Sequence, residues 1–456
     1  MMKGREGGSC SAAAVARWGA GLALAAASLA CGAMSEVEDP PRTRGATGYA
    51  SIEIAMQAAV DRGVVGGVVT LVHHRGEVVH AAAVGLQDPE AGLPMRRDSI
   101  FRIASMTKPI TAVATMILVD EGRLRLEDTV DAWLPELARP RVLRDPTGPL
   151  EASVPAARSI RVVDLLTHSS GIATPRTPDG PLRRALMAAD AENAAGYDAW
   201  LSRVGALPLA AEPGSTFLYG NSFDVLGILV ERVSGMEYPD FLQERIFEPL
   251  GMVDTKFMIP AAERSRFARL QSLGGVPASW IPSETAVPGF PAAAGGLYST
   301  VDDYLRFARM LLGEGSLDGV RILSPESVAT MTRNHLSEAQ RRAEPFAGRV
   351  DFWAGQGFGL GVAVQEADGV ATSELGLASR GAFAWPGIFG TWWQVDPVEE
   401  LILVFMVPGG EARPVRWSFQ AAAYDAIGSA RRPRAGASEP DRPSSDGSES
   451  PRGSIR

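Results

Sequence analysis

The chain has 456 residues, 46% of them hydrophobic and 21% charged, which suffices to bury a large core as one domain or two interleaved ones. Asp and Glu (53) outnumber Lys and Arg (44) for a net charge of −9, a balance that excludes a partner held by charge in the way nucleic acid is. The only two cysteines are Cys10 and Cys31, so the folded part must be stabilised by packing and not by a disulfide.

Residues 1–30 combine Lys3, Arg5 and Arg17 with an uncharged run, Trp18 to Ala30, too short to span a bilayer comfortably, which predicts a signal for export to the periplasm or cell envelope. Ser28-Leu29-Ala30-Cys31 ends that run in small residues before a cysteine. Either Cys31 is lipidated, which would tether the chain to a membrane, or cleavage follows Ala30 or Ala33. Removing residues 1–30 takes away +2 and leaves −11. Residues 31–49 read as a tether, 50–428 as the folded domain, and 429–456, reduced to Arg, Pro, Ser, Gly, Asp and Glu, as a disordered tail.

Within the domain, 51–61 carries apolar residues at helical spacing and ends at Gly63. Gly67 to His74, a turn at Arg75-Gly76, and Glu77 to Val84 predict a β-hairpin rich in β-branched residues. His73 and His74 are strand neighbours and so face opposite ways, and no second histidine or cysteine pattern accompanies them, which argues against a metal site. Pro109 to Asp120 predicts an amphipathic helix. Asn221 to Ser234 and Val301 to Leu312 predict two more, closed by Gly235 and Gly313. Strands return at 358–365, 382–385, 391–395 and 401–407, and 414–427 closes as a helix. The implied architecture is α/β in the α+β sense: one antiparallel sheet assembled from both ends of the chain, flanked by helices, with a mainly helical insertion over about 110–350.

The scarcest residues mark the candidate chemistry. Lysine occurs only as Lys3, Lys108 and Lys256, and asparagine only as Asn193, Asn221 and Asn334. In Ser105-Met106-Thr107-Lys108 the hydroxyl and the amine fall on one helix face, one turn apart. An amine can exchange its proton where a guanidinium cannot, so Lys108 is either a proton-handling group or an ordinary cation. Tyr219-Gly220-Asn221 precedes a helix, where Asn221 is either a cap or a functional side chain. By composition a Ser-x-x-Lys is expected about 0.2 times and a Tyr-x-Asn about 0.05 times, so finding both at helix starts points away from chance. A serine is a weak nucleophile until a neighbour takes its proton, and a phenolate or neutral amine will serve. His168 lacks the Gly-x-Ser-x-Gly elbow of Ser–His hydrolases, and Gly295-Gly296 lacks the Lys-Ser/Thr of a phosphate loop, so close backbone packing is the better use for those glycines.

Through Phe101 to Lys108, Asp164 to Gly171, Tyr219-Gly220-Asn221, Ala294 to Thr300 and Gly390 to Trp393, residues 50–428 resemble the serine β-lactamase and penicillin-binding-protein superfamily, in its class C β-lactamase-like branch with D-alanyl-D-alanine carboxypeptidases and esterases. The resemblance implies a β-lactamase-like fold and an acyl-enzyme on Ser105. It implies that Lys108 and Tyr219 manage the serine proton and that Asn221 holds Lys108 and the substrate. The oxyanion hole would be the N–H of Ser105 plus one from a site-lining strand.

That strand departs from the pattern. Where β-lactamases and carboxypeptidases carry Lys-Thr-Gly, this chain has Trp385-Pro386-Gly387, near the Trp-Gly-Gly of some esterases, and the second oxyanion donor would be Ile388 N–H. Pro386 is tolerable if that strand is a sheet edge. A lost lysine weakens recognition of a substrate carboxylate unless Arg416 replaces it, and Trp385 with Trp392 would line a wall suited to an apolar ester. The sequence thus predicts an exported serine hydrolase for a small ester or amide, foremost a carboxylesterase, without cofactor. A β-lactamase or D-alanyl-D-alanine carboxypeptidase, and a catalytically silent envelope binding protein, are the alternatives. Oligomeric state stays open.

Overall fold

A computed structural model describes residues 48–175, 177–189, 194–271, 289–342, 346, 351–369, 374–410 and 412–428. The expected export signal, Cys31, nearly all of the tether and the tail lie outside the described residues.

Eight strands form one antiparallel sheet. In chain order they are β1 (Gly67–His74), β2 (Glu77–Asp88), β3 (Leu93–Pro94), β4 (Gln356–Phe358), β5 (Ala363–Gln365), β6 (Phe383–Ala384), β7 (Trp392–Asp396) and β8 (Leu401–Met406). Their spatial order is β4-β5-β6-β7-β8-β1-β2-β3, so the first strand pairs with the last, with Val69 opposite Met406 and His74 opposite Leu401. The β1–β2 turn places Arg75 at φ 51° and Gly76 at φ 87°, the left-handed pair that a two-residue hairpin turn requires.

Side chains alternate between two apolar layers. Ile402, Val404 and Met406 of β8 join the core shared with the helical insertion, while Leu401, Leu403 and Phe405 pack on the other face with Ile52, Met56, Phe419 and Tyr424 of the terminal helices Ala50–Asp61 and Ala412–Ala426. Each such fully buried side chain contributes about 1.5–3 kcal/mol of transfer free energy, so the central strands are the firmest part of the fold.

Three expectations need correction. The segment 358–365 is not one strand but the β4–β5 hairpin: Gly361 turns at φ 84°, and the amides of Leu360 and Gly361 bond to Met331 and Leu166 instead of a neighbouring strand. The helix at 109–120 begins at Thr107 and is not amphipathic, because every residue from Thr107 to Leu118 is buried. The site-lining strand β6 is interior, paired with β5 and β7. Pro386 is tolerated because it lies beyond the end of β6, where no ladder donor is needed. The helix Val301–Leu312 matches its expectation, with the Thr300 hydroxyl accepting the Asp303 N–H.

Burial lowers the affinity of His73, His80 and His335 for a proton. For His335 the neighbouring Arg333 guanidinium adds to that effect, and for His73 the Arg309 guanidinium does. The unfolded chain therefore takes up these protons first on acidification, so the stability they contribute is complete above about pH 6.5 and falls away below it. Asp303, pushed up to about 6 by burial, works in the opposite sense, so the His73 contribution must be isolated by substitution. We expect the urea midpoint of His73→Phe to change less between pH 7.5 and 5.5 than that of the wild type. An equal change in both would remove His73 from the account.

Candidate active site

Ser105 lies in a 3-10 turn, Ala104–Met106, that runs into the buried helix Thr107–Asp120. Ala104 is held at φ 45°, a left-handed conformation that costs a non-glycine residue energy and turns the chain sharply just before the serine. One helical turn on, Lys108 is 3% exposed, and its Nζ donates to Ser105 Oγ at 3.1 Å and to the Ala294 carbonyl at 2.6 Å.

Residues 292–297 are fastened to this helix by its own side chains. Thr111 Oγ1 donates to the Ala293 carbonyl at 2.7 Å, and Thr107 Oγ1 accepts the Leu297 N–H at 3.2 Å. Asp224, in the first turn of the helix Ser222–Ser234, accepts the Ala294 N–H at 3.0 Å. A Cβ on Gly296 would meet the Ala292 carbonyl at 2.9 Å, so Gly296 serves close packing beneath the site.

Tyr219 arrives from the loop before that same helix, 6% exposed, with the Lys108 ammonium 4.7 Å from its ring centroid. Its phenol oxygen accepts the Trp385 indole N–H at 3.1 Å. Burial by itself would push the phenol up. The Lys108 charge and the polar groups of Lys108, Ser105 and Trp385 around the oxygen outweigh it and hold Tyr219 below its ordinary value of 10.0.

Among the described residues no hydrogen bond joins Asn221 to Lys108. The Asn221 side chain donates to the Ala173 carbonyl at 3.0 Å, and it does not cap its helix. Trp385 is 2% exposed and packs edge-on to Phe358, so its closest functional contact is the phenol and not an open wall. Trp392 is fully buried on the face of the sheet toward the terminal helices, under the Arg416 guanidinium, and does not line the cleft. Arg416 is itself buried and paired with Glu374 at 2.9 Å, so it does not replace the missing lysine.

Gly387 is fixed by close approach: a Cβ there would stand 2.5 Å from the Ile103 carbonyl and closer still to Thr391 Oγ1. Its N–H donates to the Thr391 carbonyl at 2.7 Å. This contact brings the segment after β6 to within two residues of Ser105 in the chain and leaves Ile388 at the rim, 49% exposed. Beside it Phe389, Ala104 and Leu270 form a small apolar cluster. Nothing in the sequence signals the Ala294 carbonyl, Asp224 or the bond between Trp385 and the phenol. A backbone acceptor carries no side-chain signal, and the other two depend on which loops meet.

A family model described as beta-lactamase matches residues 52–424. The chain is 42% identical over 359 residues to Protein Rv1367c of Mycobacterium tuberculosis, covering 78% of this chain and 88% of that one. It is 33% identical over 366 residues to Esterase EstB of Burkholderia gladioli, covering 75% and 85%. Among solved structures, EstCE1, a hydrolase with promiscuous acyltransferase activity, superposes with a TM-score of 0.68 at 26% identity, over 82% of this chain and 98% of its own. This chain belongs to the beta-lactamase family. It is a serine hydrolase of that family with an esterase among its relatives, and its fold is β-lactamase-like.

Proposed function

We propose that the chain is an exported carboxylesterase that works through an acyl-Ser105 intermediate. The observation that carries this reading is the meeting of Ser105, Lys108 and the Tyr219 phenol, with the Trp385 N–H on the phenol oxygen.

The Ser105 hydroxyl passes its proton to the Tyr219 phenolate as Oγ bonds to the ester carbonyl carbon. The carbonyl electron pair moves onto oxygen, received by the backbone N–H groups of Ser105 and Ile388. Collapse breaks the bond to the alkoxy group, which leaves as the alcohol with the phenol proton. Water then gives a proton to the phenolate and adds to the acyl carbon, and that proton returns to Ser105 Oγ as the carboxylic acid departs. Lys108 stays beside the phenolate throughout, and the cycle needs neither metal nor organic cofactor.

The substrate class follows from charge. A lysine bonded to a substrate carboxylate is worth about 1.5–3 kcal/mol, or about 10–150-fold, and neither Trp385 nor the paired Arg416 supplies that bond. The apolar cluster of Phe389, Ala104 and Leu270 and the exposed Ile388 suit a small uncharged ester. Short-chain p-nitrophenyl esters should turn over at least about 10-fold more efficiently than nitrocefin. Faster nitrocefin turnover would reverse the assignment in favour of a β-lactamase or D-alanyl-D-alanine carboxypeptidase, and no turnover of either would favour a silent binding protein. Trp385→Phe keeps the ring but removes the donor to the phenolate, so ester kcat should fall about 10-fold. Unchanged kcat would limit Trp385 to packing. For the exported form, with Cys31 as a candidate lipid anchor, cell fractionation should place the protein in the envelope, and recovery in the cytoplasm would refute export.

A further inference from the structure

His168 takes no part in the proton path above, yet it touches the segment around Tyr219 at three points. Its carbonyl accepts the Leu218 N–H at 2.7 Å. Its Nδ1 accepts the Gly220 N–H at 3.4 Å, which requires the ring proton to sit on Nε2. Its imidazole lies against the Tyr219 ring, with centroids 4.5 Å apart. One residue thus holds the backbone on both sides of the phenol and supports one face of the ring between.

His168 is itself held firmly. It is fully buried among Phe217, Phe223 and Phe358 and sits at φ 54°. That conformation costs a residue other than glycine free energy, and His, Asn and Asp adopt it more readily than most. The next residue, Ser169, donates its N–H to the Asp164 carbonyl, and the Asp164 carboxylate is clamped by Arg158 at 2.6 and 2.9 Å. A chain of bonds therefore runs from a salt bridge through the backbone to His168 and on to the phenol segment.

We propose that His168 is a positioning residue that sets the phenol of Tyr219 against Lys108 and Ser105 by bonding the backbone on either side of it. The consequence for turnover rests on the acyl-Ser105 reading, but the placement of the phenol does not. Lys108 stands 4.7 Å from the ring centroid and Trp385 donates to the phenol oxygen, so a displaced ring loses that charge and that bond, and its lowered proton affinity with them. A role confined to packing would leave that affinity unchanged.

The test uses full-length protein carrying 13Cζ-labelled tyrosine, with the Tyr219 resonance assigned among the seven tyrosines by its loss in Tyr219→Phe. His168→Phe removes the Nδ1 acceptor and keeps a ring, and His168→Leu replaces it should phenylalanine overpack the site. His168→Asn restores an acceptor on Cγ and tolerates the left-handed backbone. We expect Tyr219 to titrate about one pH unit higher in His168→Phe or His168→Leu, with ester kcat reduced about 10-fold and KM within about twofold, and both to return in His168→Asn. A wild-type titration in the Phe or Leu variant, or an Asn variant displaced as far as they are, would overturn the proposal. A displaced titration with unchanged kcat would uphold the positioning and refute the catalytic use of Tyr219.

Discussion

Lys108→Arg should lower kcat/KM toward a p-nitrophenyl ester by at least about 100-fold while the protein stays folded. Arginine keeps the positive charge but is bulkier, and its planar fork cannot reproduce a compact ammonium that reaches Ser105 Oγ and the Ala294 carbonyl from a buried position. The cation is then displaced from its place beside the Tyr219 ring. Steady-state kinetics of the purified variant, beside a thermal unfolding scan, checks the expectation. A folded Lys108→Arg with wild-type turnover would remove Lys108 from the mechanism.

Tyr219→Phe should cost more, about 1000-fold in kcat, because it deletes the group that carries the serine proton in both half-reactions. KM should change little, since the hydroxyl acts on Ser105 and not on the bound ester. The same assignment fixes a pH dependence. Tyr219 must be ionised to accept the proton, so kcat/KM should fall as pH falls through the depressed phenol pKa, and this limb should vanish in Tyr219→Phe. A residual activity in Tyr219→Phe with the limb unchanged would assign the limb to another group.

Much of the fold is legible in the sequence because its signals are local. The β1–β2 hairpin follows from β-branched strands around Arg75-Gly76, and the Val301–Leu312 helix follows from its Thr300 cap and apolar spacing. Errors arise where tertiary contacts override local pattern. Periodicity cannot reveal that Met331 and Leu166 take the amides that break 358–365 in two, nor that both faces of the Thr107–Asp120 helix are covered.

The candidate site divides the same way. Ser105 and Lys108 are one helical turn apart, so their contact is readable from spacing, whereas Tyr219 meets them only because the Ala294 segment joins two helices through Lys108, Thr111 and Asp224. The motif places Asn221 on Lys108, but its amide reaches Ala173 while a backbone carbonyl, invisible in a motif, takes that place. Composition makes Trp385 a substrate wall. Its burial against Phe358 instead turns the indole N–H toward the phenol, an outcome of packing that composition cannot forecast.

The measurement that bears most directly on the central claim is the intact mass of the protein after reaction with a fluorophosphonate. The wild type should gain one adduct, mapped by peptide digestion to Ser105, and Ser105→Ala should gain none. An adduct on Ser105→Ala, or a wild type that stays unlabelled while it hydrolyses esters, would contradict an acyl-enzyme on this serine.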